Sequence, residues 1–405
     1  MQAGANLPAV GGYNQAVILD AVRRSPDGVS RVELAERTGL SPQTVSNVTR
    51  RLLDEGFIVD AGTVPSGVGK PRTILRLEPQ GRFAVGVHLD PTVITLVLLD
   101  LASRVVADRT IPTPASGEAP STIARIAEVV RELIAESAVD AQRVMGVGVA
   151  APGPIDLEAG TVLNPPLLHG WRDVAIRDDL ADALDIPVLL EKDVTAAAVA
   201  ELWAGAGASD DRNTLFLYYG TGLGTGVILR NEVIRGVSGN AGDVAALAVG
   251  VTDGHVRRVG ISAMPSVLVD AAMAAGVLQH EPGPLGTEEI RALFSQLVQA
   301  ADGGDPAAVA IMDAAADDIA VGLVQLVNLL DVDRVVFGGP FFGVASGFLL
   351  DRVPGRVHDN PLLVVPHEIE FTTSDFGDDV AAVGAAALVL DHAFSPRPEG
   401  LLITH

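Results

Sequence analysis

Two stretches hold residue types that could do chemistry. In residues 190–201, LEKDVTAAAVAE, Asp193 stands where an apolar strand-like run turns into a helix-forming one. In residues 218–226, YYGTGLGTG, four glycines lie between two apolar runs. A carboxylate at a strand end orients or deprotonates a hydroxyl. Glycines let backbone N–H groups approach an anion closely, because no Cβ stands in the way. Together they describe a cleft that handles a sugar or a phosphate. The same glycines also suit a tight β-turn kept for packing.

The chain that must position them has 405 residues, too many for one ordinary core, so two or three domains are expected. Hydrophobic residues make up 48% and charged residues 20%, the balance of a folded chain. Cysteine is absent, which excludes disulfides, thiolate metal sites and cysteine nucleophiles. No secretory signal pattern opens the chain and no run is apolar enough to span a bilayer. A soluble, cytoplasmic protein with no membrane partner is expected.

The net charge of −23 is unevenly spread: residues 1–82 hold ten Arg and Lys against eight Asp and Glu, a net of +2, and the remainder carries −25. The acidic remainder repels a phosphate backbone, so any nucleic-acid contact is expected from residues 1–82. There, Ala16, Val17, Leu19 and Val22 recur at helical spacing and predict a helix over 14–24 after a flexible arm. Ser30 reads as the cap of a short helix that Gly39 ends, and Ser41-Pro42 as the start of a third helix over 42–55. Val45, Val48, Leu52 and Leu53 mark its buried face. Gln43, Thr44, Ser46, Asn47 and Arg50 mark the other, which is free of acids until its end. Strands at 57–59 and 73–77 flank the turn PSGVGKPR, which carries Lys70 and Arg72. The arrangement is a winged helix, with 42–55 in the major groove and Lys70 and Arg72 on the DNA backbone or in the minor groove. Such a module also serves protein–protein contacts, but the polar face favours operator DNA. Arg51 equally suits a solvated surface.

Residues 83–405 begin with strands at 83–89, 94–101 and 105–111, a helix at 123–135 and a strand at 144–150, the order of an actin-like or ribonuclease-H-like lobe. A second lobe opens with strands at 214–219, 226–229 and 233–234. A long helix at 306–330 precedes a strand at 334–337 and the turn GGPFFG, and a packed apolar helix over 379–392 follows. The predicted fold class is α/β: a winged helix-turn-helix over 1–82, then a two-lobed actin-like ATPase fold over 83–405. Lobe one is placed at about 83–194 plus 378–395, and lobe two at about 195–377.

Six segments, in this order, resemble motifs of the ROK family (repressors, open reading frames, kinases): GLSPQTVSNVTRRLLDEGFI, GVGVAAPGPID, NPPLLHGW, LLEKDVTAAAVAELWAG, YYGTGLGTGVI and VVFGGP. The match covers nearly the whole length and is specifically to the family's regulators with an N-terminal winged helix. The resemblance implies a DNA-binding transcriptional repressor, a homodimer or tetramer, and a carbohydrate or sugar derivative as effector. Asp193 matches the family's catalytic base. Gly153, Asn164, Lys192, Asp193, Asn240 and Asp243 remain as ligand contacts, and Trp171 is either a sugar-stacking ring or a core anchor.

Departures from the family pattern point away from catalysis. The kinases hold ATP phosphates with a DIGGTK-like turn, and the aligned run here is His88-Leu89-Asp90-Pro91-Thr92. An aspartate repels phosphate by charge, and a proline lacks an N–H to offer it. The family's Asn-Asp pair is Lys192-Asp193, and its GEIGH-like segment reads Gly242-Asp243-Val244-Ala245-Ala246. Ala246 replaces a zinc-binding histidine, and no cysteine is available, so neither metal nor other cofactor is expected. His255 is read as a surface residue. A degenerate kinase domain that senses without catalysing is the expectation. An active sugar kinase fused to a winged helix, and a regulator without a small-molecule effector, are the alternatives. Lys192 beside Asp193 suits a structural ion pair or an anionic-ligand site as well as a base, and an ammonium in a cleft favours an acidic or phosphorylated ligand.

Overall fold

The computed structural model describes residues 7–65, 71–114, 118–166, 168, 170–204, 212–252, 254–280, 283 and 285–395. The first domain comprises α1 (Leu7–Arg23), β1 (Val29–Ser30), α2 (Arg31–Thr38), α3 (Pro42–Asp54), β2 (Ile58–Val64) and β3 (Arg72–Leu77), with the antiparallel sheet order β1-β3-β2. Local signals set its boundaries. The Ser30 hydroxyl accepts from the Glu33 N–H while the Glu33 carboxylate accepts from the Ser30 N–H, a capping box that starts α2. Gly39, at φ 68°, ends it in left-handed backbone. Ser41 caps α3, and Pro42 sits in its first turn, where a missing N–H costs nothing. Two expectations are corrected. Helix α1 already begins at Leu7, where an arm was expected, and its buried residues include Ile18, Leu19 and Val22 rather than Ala16 and Val17. On α3, Leu53 is only half-buried and Thr49 is buried instead. Its hydroxyl accepts from Arg31 Nε at 3.0 Å and donates to the Ser46 carbonyl at 3.3 Å, which meets its hydrogen-bonding needs.

Lobe one contains β4 (Phe83–Leu89), β5 (Val93–Asp100), β6 (Val105–Pro112), α4 (Ala119–Glu136), β7 (Val144–Ala151), β8 (Ile155–Asp156), β9 (Thr161–Val162), α5 (Ile176–Leu184) and β10 (Val188–Lys192). Its sheet runs β10-β7-β4-β5-β6, parallel from β10 to β4 and antiparallel beyond. Strand β4 is buried on both faces, which is why it is apolar apart from Gly86 and the buried His88. Helix α6 (Asp193–Ala204) follows β10 without an intervening residue, so Asp193 stands at the carboxyl end of a buried strand.

Lobe two contains β11 (Thr214–Tyr219), β12 (Leu223–Leu229), β13 (Glu232–Val233), β14 (Ala248–Thr252), β15 (His255–Arg258), α7 (Val259–Ser262), α8 (Pro265–Ala274), α9 (Thr287–Asp302), α10 (Pro306–Leu330), β16 (Arg334–Gly338), α11 (Pro340–Leu350), α12 (Val353–His358) and β17 (Glu370–Thr373). Its main sheet runs β13-β12-β11-β16-β17. The last helix, α13 (Val380–Phe394), returns to lobe one and packs on β4, β7 and the length of α6. A Cβ on Gly384 would lie 1.8 Å from the Ala196 carbonyl oxygen, so the two helices meet backbone to backbone. The winged helix rests on this helix pair: Phe57 meets Phe394 edge-on, with ring centroids 5.1 Å apart, and the Arg23 guanidinium lies 4.0 Å over the Trp203 ring.

Candidate effector cleft and DNA-reading face

A cavity of about 460 Å³ opens between the lobes. Asp90, Gly153, Lys192 and Asp193 line it on one side, and Tyr218, Gly222, Asn240 and Asp243 on the other. Asp193 is half-buried at the first position of α6. Burial pushes its carboxyl above the ordinary carboxylate range, against the pull of His88 and Lys192. Such a carboxyl is suited to exchanging hydrogen bonds or a proton with a sugar hydroxyl.

Lys192 does not project freely into this space. It is 7% exposed, and its Nζ donates to the carbonyls of Asn240 at 3.3 Å and Ala241 at 3.5 Å. Gly153 makes room for it: a Cβ there would lie 3.1 Å from Lys192 Cε and 3.3 Å from Asn240 Oδ1. The Asn240 amide is also committed. Its Oδ1 accepts from the Ile155 N–H at 2.8 Å and its Nδ2 donates to the Ile155 carbonyl at 2.7 Å, the pairing a neighbouring strand would make. Behind them Glu191, 1% exposed, accepts from Arg235 Nε at 2.6 Å. Burial pushes the Glu191 carboxyl up even beside that guanidinium. Glu191, Lys192 and Ile155 of lobe one thus hold Arg235, Asn240 and Ala241 of lobe two. The polar residues around the cleft form a clasp between the lobes as well as a wall.

The remaining candidates divide. Asp243 lines the cleft from an exposed position and accepts from the Ala245 N–H at 3.2 Å. Asn164 is exposed on a loop and is not part of the cavity wall. Trp171 is 3% exposed and lines a neighbouring cavity instead. Sequence reasoning missed Tyr218. Its ring stands edge-on to His88 with centroids 6.3 Å apart, and a Cβ on Gly220 would come within 2.7 Å of its Cε1. Its buried hydroxyl has no partner among the described residues. The ring therefore fills the gap between the turn at Asp90 and the glycine turn. The available signal was a bulky aromatic two residues before Gly220.

The glycine-rich stretch is not one loop. Strand β12 begins at Leu223, so Gly224 and Gly226 are strand residues. A Cβ on Gly224 would meet Val194 Cγ1 at 2.6 Å, and one on Gly226 the Val194 carbonyl oxygen at 2.4 Å. Both glycines let β12 press on α6, which is the packing role. On the far side of Asp90, a smaller cavity is walled by Glu288, Asp378 and Asp379 together with Arg291, which pairs with Asp378. Carboxylates in that number oppose a nucleotide's phosphates. Among the described residues no group of His, Cys, Asp and Glu is arranged to hold a metal ion, and His255 is exposed on β15. No helix among the described residues is long and apolar enough to cross a membrane.

On α3, Gln43, Asn47 and Arg50 are exposed at i, i+4 and i+7 and so form one stripe. Gln43 Nε2 donates to Asn47 Oδ1 at 3.1 Å, which holds the two exposed amides in register. Thr44 and Ser46 are half-buried beside them, and Arg72 is exposed at the start of β3. Lys70 lies outside the described residues.

Comparison with known proteins supports this architecture. The ROK family model matches residues 84–392, and the MarR family model matches residues 12–63. The chain is 24% identical over 377 residues to the xylose repressor of Caldicellulosiruptor bescii, covering 91% of this chain and 93% of that one. It is 27% identical over 318 residues to the glucokinase of Halalkalibacterium halodurans, covering 76% of this chain and 95% of that one. Among solved structures, a ROK family transcriptional regulator homologous to the Escherichia coli MLC protein superposes with a TM-score of 0.75 at 23% identity, covering 97% of this chain and 98% of that one. With a family model spanning both lobes, the chain belongs to the ROK family.

Proposed function

We propose that this protein is a DNA-binding transcriptional repressor whose two-lobed domain senses a carbohydrate and has given up sugar phosphorylation. One observation carries the reading: an acid-free, solvent-facing α3 stripe is attached to a cleft that keeps Asp193 and is also lined by Asp90, Pro91 and Tyr218, none of which offers a phosphate a positive charge or a free turn N–H. A relative that spans both domains is a xylose repressor, which supports operator DNA and a sugar as partners. The working form is a homodimer or tetramer, so that two winged helices read two half-sites.

The mechanism is a population shift. A sugar whose hydroxyls reach Asp193 and Asp243 competes with the clasp at Lys192 and Asn240, and lobe closure changes with it. The number of carboxylates in the cleft, with Lys192 already bonded to carbonyls, favours a neutral sugar over the anionic ligand that Lys192 alone suggested. The DNA half of the proposal is tested by fluorescence anisotropy on genomic operator fragments at low salt, where no binding by the full chain refutes it. The sensing half is tested by thermal shift with D-xylose, D-glucose and N-acetyl-D-glucosamine, since a ligand of the folded state raises the melting temperature.

A kinase reading retains support from Asp193 and from the glucokinase relative. Coupled ADP release that Asp193→Asn abolishes would establish it and refute the non-catalytic part of the proposal.

A further inference from the structure

We infer that the effector cleft continues into a second chamber built for an apolar group attached to the sugar, so that aryl glycosides are its preferred ligands. The inference rests on the carbohydrate-sensing reading above. A cavity of about 580 Å³ lies beside the cleft, and Pro91, Thr221 and Met264 are walls of both. The two chambers differ in chemistry. The first presents Asp90, Lys192, Asp193 and Asp243. The second carries a single charge, Glu288, and sets Leu168, Trp171, Leu285, Ile290 and Phe341 among the hydroxyl residues Thr92, Thr113, Ser266 and Thr287.

The second chamber has fixed walls: Leu168, Trp171 and Phe341 are 5%, 3% and 2% exposed. Rigid aromatic and aliphatic surfaces at this size, within the roughly 300–1,000 Å³ of small-molecule sites, gain most from an apolar guest. A single sugar ring bound at Asp193 would leave this chamber unfilled. An aryl ring joined to that sugar would fill it and cover the half-buried Leu285 and Ile290, against a floor of Leu168, Trp171 and Phe341. The Thr92 hydroxyl on the same wall is buried with no partner among the described residues. A nucleotide base would suit the apolar walls too, but its phosphates would face Asp90 and Glu288.

The test is calorimetric titration of the full-length protein with the methyl and phenyl β-glycosides of D-glucose and D-xylose. The phenyl compound of at least one pair binds at least about ten-fold tighter than its methyl counterpart. Leu285→Trp fills the chamber and removes that advantage while methyl glycoside binding is unchanged. Ile290→Trp serves the same purpose from α9 if the first variant melts early. Equal affinity for phenyl and methyl compounds, an advantage that survives chamber filling, or ADP binding as tightly as the phenyl glycoside would each overturn the inference while leaving carbohydrate sensing intact. Silence of all four glycosides and of the free sugars would instead remove the sensing reading, and this inference with it.

Discussion

Arg23 is the residue whose replacement asks most directly whether the effector cleft and the DNA-reading domain form one mechanical unit. Helix α6 carries Asp193 at its first position and Trp203 near its last, roughly 15 Å apart at 1.5 Å per residue. Trp203 is where the winged helix is held. The Arg23 guanidinium covers its ring at 4.0 Å, donates to its carbonyl and pairs with Asp20 at 2.7 Å. Arg23→Met keeps the apolar stem and removes the charge. A desolvated cation–π contact is worth about 2 kcal/mol and a charge-assisted hydrogen bond about 1.5–3 kcal/mol. Against this stands the cost of burying the guanidinium, which pulls its pKa below the usual arginine value. Asp20 does not become an orphan, because Arg24 Nε remains 2.8 Å from it. A net loss of about 2 kcal/mol in docking follows. Scanning calorimetry should show the winged helix melting ahead of the two lobes, and a double-mutant cycle with Trp203→Leu should give a coupling of about 1–2 kcal/mol. DNA affinity without ligand should hold, while its response to a bound sugar should shrink. A single melting transition at the wild-type temperature, together with additive effects in the cycle, would refute the reasoning.

Arg50→Ala should weaken operator binding by about 1–3 kcal/mol if the side chain reads a base, and the salt dependence then stays as steep as before; a shallower slope would assign it to phosphate. Asn240→Ala removes both bonds to Ile155 and should cost about 1–3 kcal/mol, with faster amide hydrogen exchange around Ile155 as the local sign that the lobes have loosened. Gly384→Ala forces a Cβ against the Ala196 carbonyl and should cost about 3 kcal/mol or more, measured by urea unfolding; wild-type stability would mean that α6 and α13 are not held this closely. His367 is held above its ordinary value of 6.5 by Asp331, so its ion pair stabilises the fold below that value and fades as pH rises through the raised one. His367→Gln should therefore lower the melting temperature near about pH 5.5 and leave it unchanged near about pH 9.

Much of the fold was legible in the sequence because its signals are local. Ser30, Gly39, Ser41 and Pro42 mark helix ends through groups no more than four residues away. The long helix α10 was readable from Pro306 to Leu330 because its proline stands in the first turn and its apolar residues keep helical spacing. The position of Asp193 was readable because an apolar strand and an alanine-rich helix meet at that residue. What the sequence left undecided was how each polar side chain is employed. Lys192 read as an anionic-ligand contact or a structural ion pair, and the fold spends it on two carbonyls some 48 and 49 residues away. Asn240 read as a ligand contact and is bonded to Ile155 across 85 residues. Gly224 and Gly226 suited either a phosphate loop or a turn kept for packing, and they are strand residues pressed on α6. For Tyr218 the local signal, an aromatic two residues before Gly220, did not reveal its role, because its place between two turns exists only once both lobes have closed around it. Chain neighbours fix caps and periodicity, so the sequence determined the elements and their order. Partners drawn from distant parts of the chain fix the use of each charge and hydroxyl, so only the tertiary structure decided which groups line the cleft and which hold it shut.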